Sequence, residues 1–199
     1  MSRLRPPSMA LWLVLATNLV PVWGVLFAGW DGGQILLLYW TESLILGLLT
    51  LPRLFAVAGK LAMGVWASLF FCAHYGLFSL VHLAFLLKLT GPDGASYAQT
   101  LSSATGHRSF WLSVGAITLL ALVGQWRDWW RPGLWRTSNV PREIIAPYGR
   151  VIVLHLAVLI SAVMILSFDT PAVTVLILCA IKTVIETMQT RQARPNLAS

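Results

Sequence analysis

The chain has 199 residues, 57% of them hydrophobic and only 11% charged, against about 25% charged in an average soluble domain. That leaves too few polar side chains to coat a soluble globule. Disorder requires the opposite composition, and two Cys exclude a disulfide-stapled scaffold. The net charge of +7 is scattered in short runs between apolar blocks, without the Lys/Arg stripe and interleaved aromatics of a nucleic-acid surface.

This composition is that of an all-α polytopic membrane protein, and about 20 apolar residues mark each crossing. Six spans are predicted. Span 1 covers 9–30 and contains Asn18 and Pro21. Its apolar run exceeds the ~7–15 residues of a signal-peptide core, so it is expected to stay as a signal anchor. Span 2 covers 34–51 and is expected to stop at Pro52-Arg53. Span 3 covers 61–89, longer than a bilayer requires. A loop rich in Gly, Ser and Thr follows, with a turn at Gly91-Pro92-Asp93-Gly94. Span 4 covers 110–126. A basic inner loop, 127–149, separates it from span 5 (150–168) and span 6 (171–190). The whole chain, 1–199, reads as one transmembrane domain of six helices with both termini cytoplasmic.

Basic residues set that orientation. With the N-terminus inside, the inner segments hold eleven of the fourteen Lys and Arg: Arg3, Arg5, Arg53, Lys60, Arg127, Arg131, Arg136, Arg142, Arg150, Arg191 and Arg194. The outer segments hold Lys88 and Arg108, and Lys182 lies within span 6. Trp30 and Trp111 fall at outer ends, and Trp12, Trp66 and Trp126 near inner ends, as in an aromatic belt. Trp129, Trp130 and Trp135, mixed with arginines, read either as a segment lying in the inner interface or as a plain basic loop. Cys72 and Cys179 fall inside apolar blocks and are expected to be buried. The location expected from these features is a cytoplasmic (inner) membrane. The partners expected are the lipid bilayer and further copies of the chain, with no nucleic acid. No nucleotide is expected either, since no P-loop is present.

Ionisable groups inside the hydrocarbon are costly and mark functional sites. Here they are Glu42 in span 2, His74 and His82 in span 3, His155 in span 5, and Lys182 and Glu186 in span 6. At about 1.5 Å per residue, Glu42 lies roughly 12 Å from the outer end of its span, His82 roughly 10 Å and His74 roughly 22 Å. By the same count His155 lies roughly 20 Å deep, Lys182 roughly 17 Å and Asn18 roughly 18 Å. A single buried polar cluster accommodates all of them.

Three chemistries fit such a cluster. His74, His155 and Glu42, with His82 as a neighbour, form a ligand set suited to zinc or iron. His74 and His155, at matching depth on different helices, also suit a b-type haem. Glu, His and Lys in the bilayer also serve proton relays and ion transport, for which Pro21 would break span 1 near Asn18. Glu42 and Lys182 are the catalytic candidates for chemistry on a membrane-embedded substrate. The remaining alternative is a structural or assembly subunit whose polar residues only join helices. Lys182 and Glu186, four apart, also suit a plain ion pair.

Four motifs carry a family resemblance: Tyr39-Trp40-Thr41-Glu42-Ser43; His74-Tyr75-Gly76-Leu77-Phe78 with His82; Pro147-Tyr148-Gly149-Arg150 with Leu154-His155; and Lys182 with Glu186. Between Leu11 and Glu186 the chain resembles a domain-of-unknown-function family of bacterial and archaeal multi-pass membrane proteins. That family often has Asn where this chain has Ser43. The resemblance implies a membrane bundle with a shared polar motif set and no established activity. It adds Tyr148 and Arg150 as an inner-face element.

Overall fold

The computed structural model describes residues 9–149, together with 151, 152, 156, 159, 160, 180, 183 and 184. Those residues form helices and turns, with no strand among them. Three helical stretches are long and apolar enough to cross a membrane: Gly32–Ala58, Leu61–Thr90 and Arg108–Trp130.

Helix α1 covers Met9–Phe27 and runs through Pro21 without a break. The expected opening near Asn18 is therefore absent; Pro21 is fully buried and Asn18 is buried and engaged. The chain then turns around Trp30, which is buried rather than in a belt. A Cβ on Gly24 would lie 2.2 Å from the Trp30 ring, so only glycine admits the indole there. Trp30 packs on Phe110, at 6.2 Å between ring centroids. Its indole N–H donates to Ser109 Oγ at 3.0 Å. These contacts tie the turn after α1 to Ser109 and Phe110.

Helix α2 covers Gly32–Ala58 and opens on a capping box between Asp31 and Gln34. It passes through Pro52 and ends at Gly59, whose φ of 69° is left-handed. The expected stop at Pro52-Arg53 is thus displaced by a full two turns. Proline removes one donor, leaving the Leu48 carbonyl without its helical partner, and neighbouring helices make that tolerable. One such neighbour reaches the next carbonyl: Gln125 Nε2 donates to the Leu49 oxygen at 3.0 Å.

Helix α3 covers Leu61–Thr90 and runs back antiparallel to α2. At one end Gly33 approaches Thr90, and at the other Gly64 approaches Phe55. Two cross-helix bonds fix the register between them. Trp40 Nε1 donates to the Ser79 carbonyl at 2.8 Å, and the Tyr75 hydroxyl donates to the Ser43 carbonyl at 2.7 Å. A Cβ on Gly47 would fall 2.4 Å from the Tyr75 ring, so that close approach also requires glycine. Cys72 lies on the exposed face of α3, not buried as expected, because the buried face runs through Ala67, Phe71 and Tyr75.

The expected outer loop holds a short helix, α4, at Tyr97–Thr105, capped by Ser96 with Gln99. Helix α5 covers Arg108–Gln125 and continues into one π-helical turn, Trp126–Trp130. A 3-10 turn at Leu134–Arg136 and helix α6 at Val140–Ile145, capped by Asn139, follow. The end of the bundle at the α2–α3 turn carries Arg53, Lys60, Arg127, Arg131, Arg136 and Arg142, while the opposite end carries Lys88 and Arg108.

Candidate functional site

The site is assembled on a segment that sequence reading treats as a basic loop. The π-helical turn at the end of α5 inserts one residue per turn and redirects the side chains beyond it. Trp129 is thereby buried. Its indole N–H donates to Glu143 Oε1 at 3.2 Å, and the Arg53 guanidinium lies over its ring at 4.8 Å. Glu143 is only 2% exposed. It forms an ion pair with Arg53 and accepts a hydrogen bond from the Ser138 hydroxyl. A buried carboxylate is stable only when charge and hydrogen bonds compensate it, and here a cation, an indole and a hydroxyl all converge on it. Among the described residues, buried Arg53 Nε has no hydrogen-bond partner.

This anchor holds α6 against α2, and the chain continues beside α3. Val151 joins Leu54, Phe71 and Tyr75 in one apolar cluster, with Val140, Ile144 and Tyr148 packed against it. Tyr148 meets the Tyr75 ring edge-on at 5.7 Å, and its hydroxyl is hydrogen-bonded to His74 Nδ1. His74 lies about 20 Å along α3 from Leu61, at the 1.5 Å rise of a helix. Tyr148 therefore sits against the middle of α3. The His74 ring stacks on Phe70 at 5.9 Å and 9°, and Phe70 stacks on Trp66 at 5.8 Å and 8°. Two motifs that are 74 residues apart in sequence thus meet through one side-chain bond.

A tyrosine hydroxyl and an imidazole nitrogen in contact can pass a proton either way, and which one donates depends on the tautomer. With Nδ1 occupied by Tyr148, Nε2 is the nitrogen left to face a second partner. His74 is exposed on the protein surface.

The other predicted residues are distributed around this pair. Glu42 is 4% exposed and Tyr39 is buried on the same helix; both are engaged. His82 is buried and turned inward along α3: its Nδ1 lies 2.9 Å from the Phe78 carbonyl, and its ring sits 4.2 Å from the Phe78 ring. Arg150, His155, Lys182 and Glu186 lie outside the described residues. Among the described residues, no three His, Cys, Asp or Glu side chains come together as a metal-binding group. Glu42, His74 and His82 therefore do not form a ligand set by themselves. The haem pairing of His74 with His155, the complete metal set and the Lys182–Glu186 ion pair involve residues outside the described ones.

Sequence reading passed over Glu143, Ser138 and the inward role of Trp129, and treated Arg53 as a topological charge alone. One signal was available: Asn139-Val140-Pro141 is a helix start, with a capping side chain and an early proline. A helix there places Glu143 one turn in.

The family model described as "Family of unknown function (DUF6498)" matches residues 1–199. The chain belongs to this family. No curated protein and no solved structure matches it.

Proposed function

We propose that this DUF6498 member is a six-span protein of a bacterial inner membrane, with both termini cytoplasmic, and that it carries a proton-exchanging site within the bilayer. The observation that carries this reading is the hydrogen bond between His74 and Tyr148. An imidazole and a phenol at this depth are costly unless they serve one another or a substrate. In this reading His74 exchanges the proton, Tyr148 orients its ring and supplies or receives the hydrogen at Nδ1, and Glu42 and His82 line the approach. His155 and Lys182 complete the site from spans 5 and 6. The three apolar helices and the basic end of the bundle support the membrane placement.

The experiment is proton movement into proteoliposomes loaded with a pH-sensitive dye, after an imposed pH step. The purified chain is expected to speed equilibration over empty vesicles, and His74→Gln and Tyr148→Phe are expected to return it to the empty-vesicle rate. Wild-type vesicles that equilibrate no faster than empty ones overturn the reading.

A second reading is favoured by a specific set of bonds. Trp40 to Ser79, Tyr75 to Ser43 and Gln125 to Leu49 each join a side chain to a carbonyl of another helix. Such bonds lock helices without doing chemistry, as expected of a structural or assembly subunit. In that case His74→Gln lowers thermal stability and leaves proton movement unchanged.

A further inference from the structure

The segment after α5 presents cations that no carboxylate among the described residues neutralises. Arg131, Arg136 and Arg142 are exposed. Among the described residues the ion pairs at this end are Arg53–Glu143 and Arg127–Asp128, so these three arginines have no carboxylate partner. Arg142 also sits close enough to Arg53 for the two charges to repel.

The geometry of the segment is fixed. Gly133, at φ 72°, turns the chain between the π-helical turn and the 3-10 turn. Its Cα passes so near the Arg136 guanidinium that a Cβ would lie 3.2 Å from Nη1. Arg136 in turn lies over the Trp135 ring at 4.6 Å. The same segment exposes Trp126, Trp135 and Ile145. Cations interleaved with exposed aromatic and aliphatic side chains match a layer that is apolar on one side and anionic on the other. Tryptophan favours that depth, and guanidinium binds phosphate oxygens in a planar, two-pronged manner.

We infer that residues 126–145 form a docking surface for anionic phospholipid headgroups, with Arg131, Arg136 and Arg142 contacting the phosphates and Trp126, Trp135 and Ile145 seated at the acyl boundary. This rests on membrane insertion but not on the proton site. The assay involves neither His74 nor Tyr148, so failure of one proposal leaves the other standing.

The test is the thermal midpoint of the full chain in maltoside micelles, titrated with phosphatidylglycerol or phosphatidylcholine. Each arginine near an anionic surface contributes about a fivefold preference, so the three together are expected to favour phosphatidylglycerol on the order of a hundredfold at low salt. High salt is expected to abolish the preference. The triple variant R131Q/R136Q/R142Q loses the preference, while R131K/R136K/R142K, which keeps the charge, retains most of it. The lysine variant also guards against a simple folding defect. Equal response to the two lipids, or a glutamine variant that retains the preference, overturns the inference. Equal competition by free glycerol phosphate overturns it too, since the site would then be one for soluble phosphate.

Discussion

Arg53 and Glu143, ninety residues apart in the sequence, form a buried ion pair beneath the Trp129 ring. The pair fastens the segment after α5 to α2, and together with the apolar cluster of Leu54, Phe71, Tyr75 and Val151 it places Tyr148 beside His74. Removing one charge from a fully buried pair costs about 3–5 kcal/mol. Here the Arg53 side chain keeps 23% of its exposure, so Glu143→Gln is expected to cost about 2–3 kcal/mol. That corresponds to a fall in thermal midpoint of roughly 4–12 °C for a chain of this size. The double variant R53M/E143L is expected to be more stable than E143Q, because no buried charge is left alone. Thermal unfolding in micelles checks both.

The approach of Tyr75 to Gly47 gives a paired prediction. Gly47→Ala places a methyl group 2.4 Å from the ring, so the ring must move and release the Ser43 carbonyl. Overpacking of this kind costs about 1–3 kcal/mol. Gly76→Ala, next to Tyr75 in sequence, meets nothing within 4 Å and is expected to be neutral or slightly stabilising, since alanine is the better helix former. Thermal midpoints of the two variants, measured side by side, separate a packing effect from a general intolerance of α2 and α3 to substitution.

Trp30→Phe retains most of the apolar ring but loses the N–H that donates to Ser109 at 3.0 Å. The expected cost is about 1 kcal/mol, the net worth of one hydrogen bond. The effect is expected to be confined to the end of the bundle near α4. Hydrogen exchange checks this: faster exchange at the starts of α2 and α5, with unchanged protection around Trp129 and Glu143.

Spans 5 and 6 lie mostly outside the described residues, whereas helices α2, α3 and α5 were readable because their apolar runs are long enough to cross a membrane. Their ends were less so. Pro52-Arg53 looks like a stop, yet Gln125 supports the adjoining turn and the cap is made by Gly59. Helix α4 was hidden in a Gly- and Ser-rich stretch, although Ser96 with Gln99 is a capping box visible in the sequence. The His74–Tyr148 pair was half legible. His74 stands out as an ionisable group in an apolar run, and Tyr148 stands out only through its motif. Their meeting depends on the π-helical turn and on Glu143, neither of which leaves a periodic signature. Glu143 was obscured by the arginines around it, since a lone acid in a basic loop reads as solvated charge rather than as the buried partner of Arg53.

Histidine-selective nitrogen-15 NMR of the chain in lipid nanodiscs shows directly whether His74 and Tyr148 share a hydrogen within the bilayer. With four His in the sequence, each resonance is assigned by a single His→Gln variant. One imidazole, His74, is expected to show a hydrogen-bonded Nδ1 whose resonance and tautomer balance change in Tyr148→Phe while His82 and His107 stay in place. A His74 spectrum identical in wild type and Tyr148→Phe contradicts the shared hydrogen.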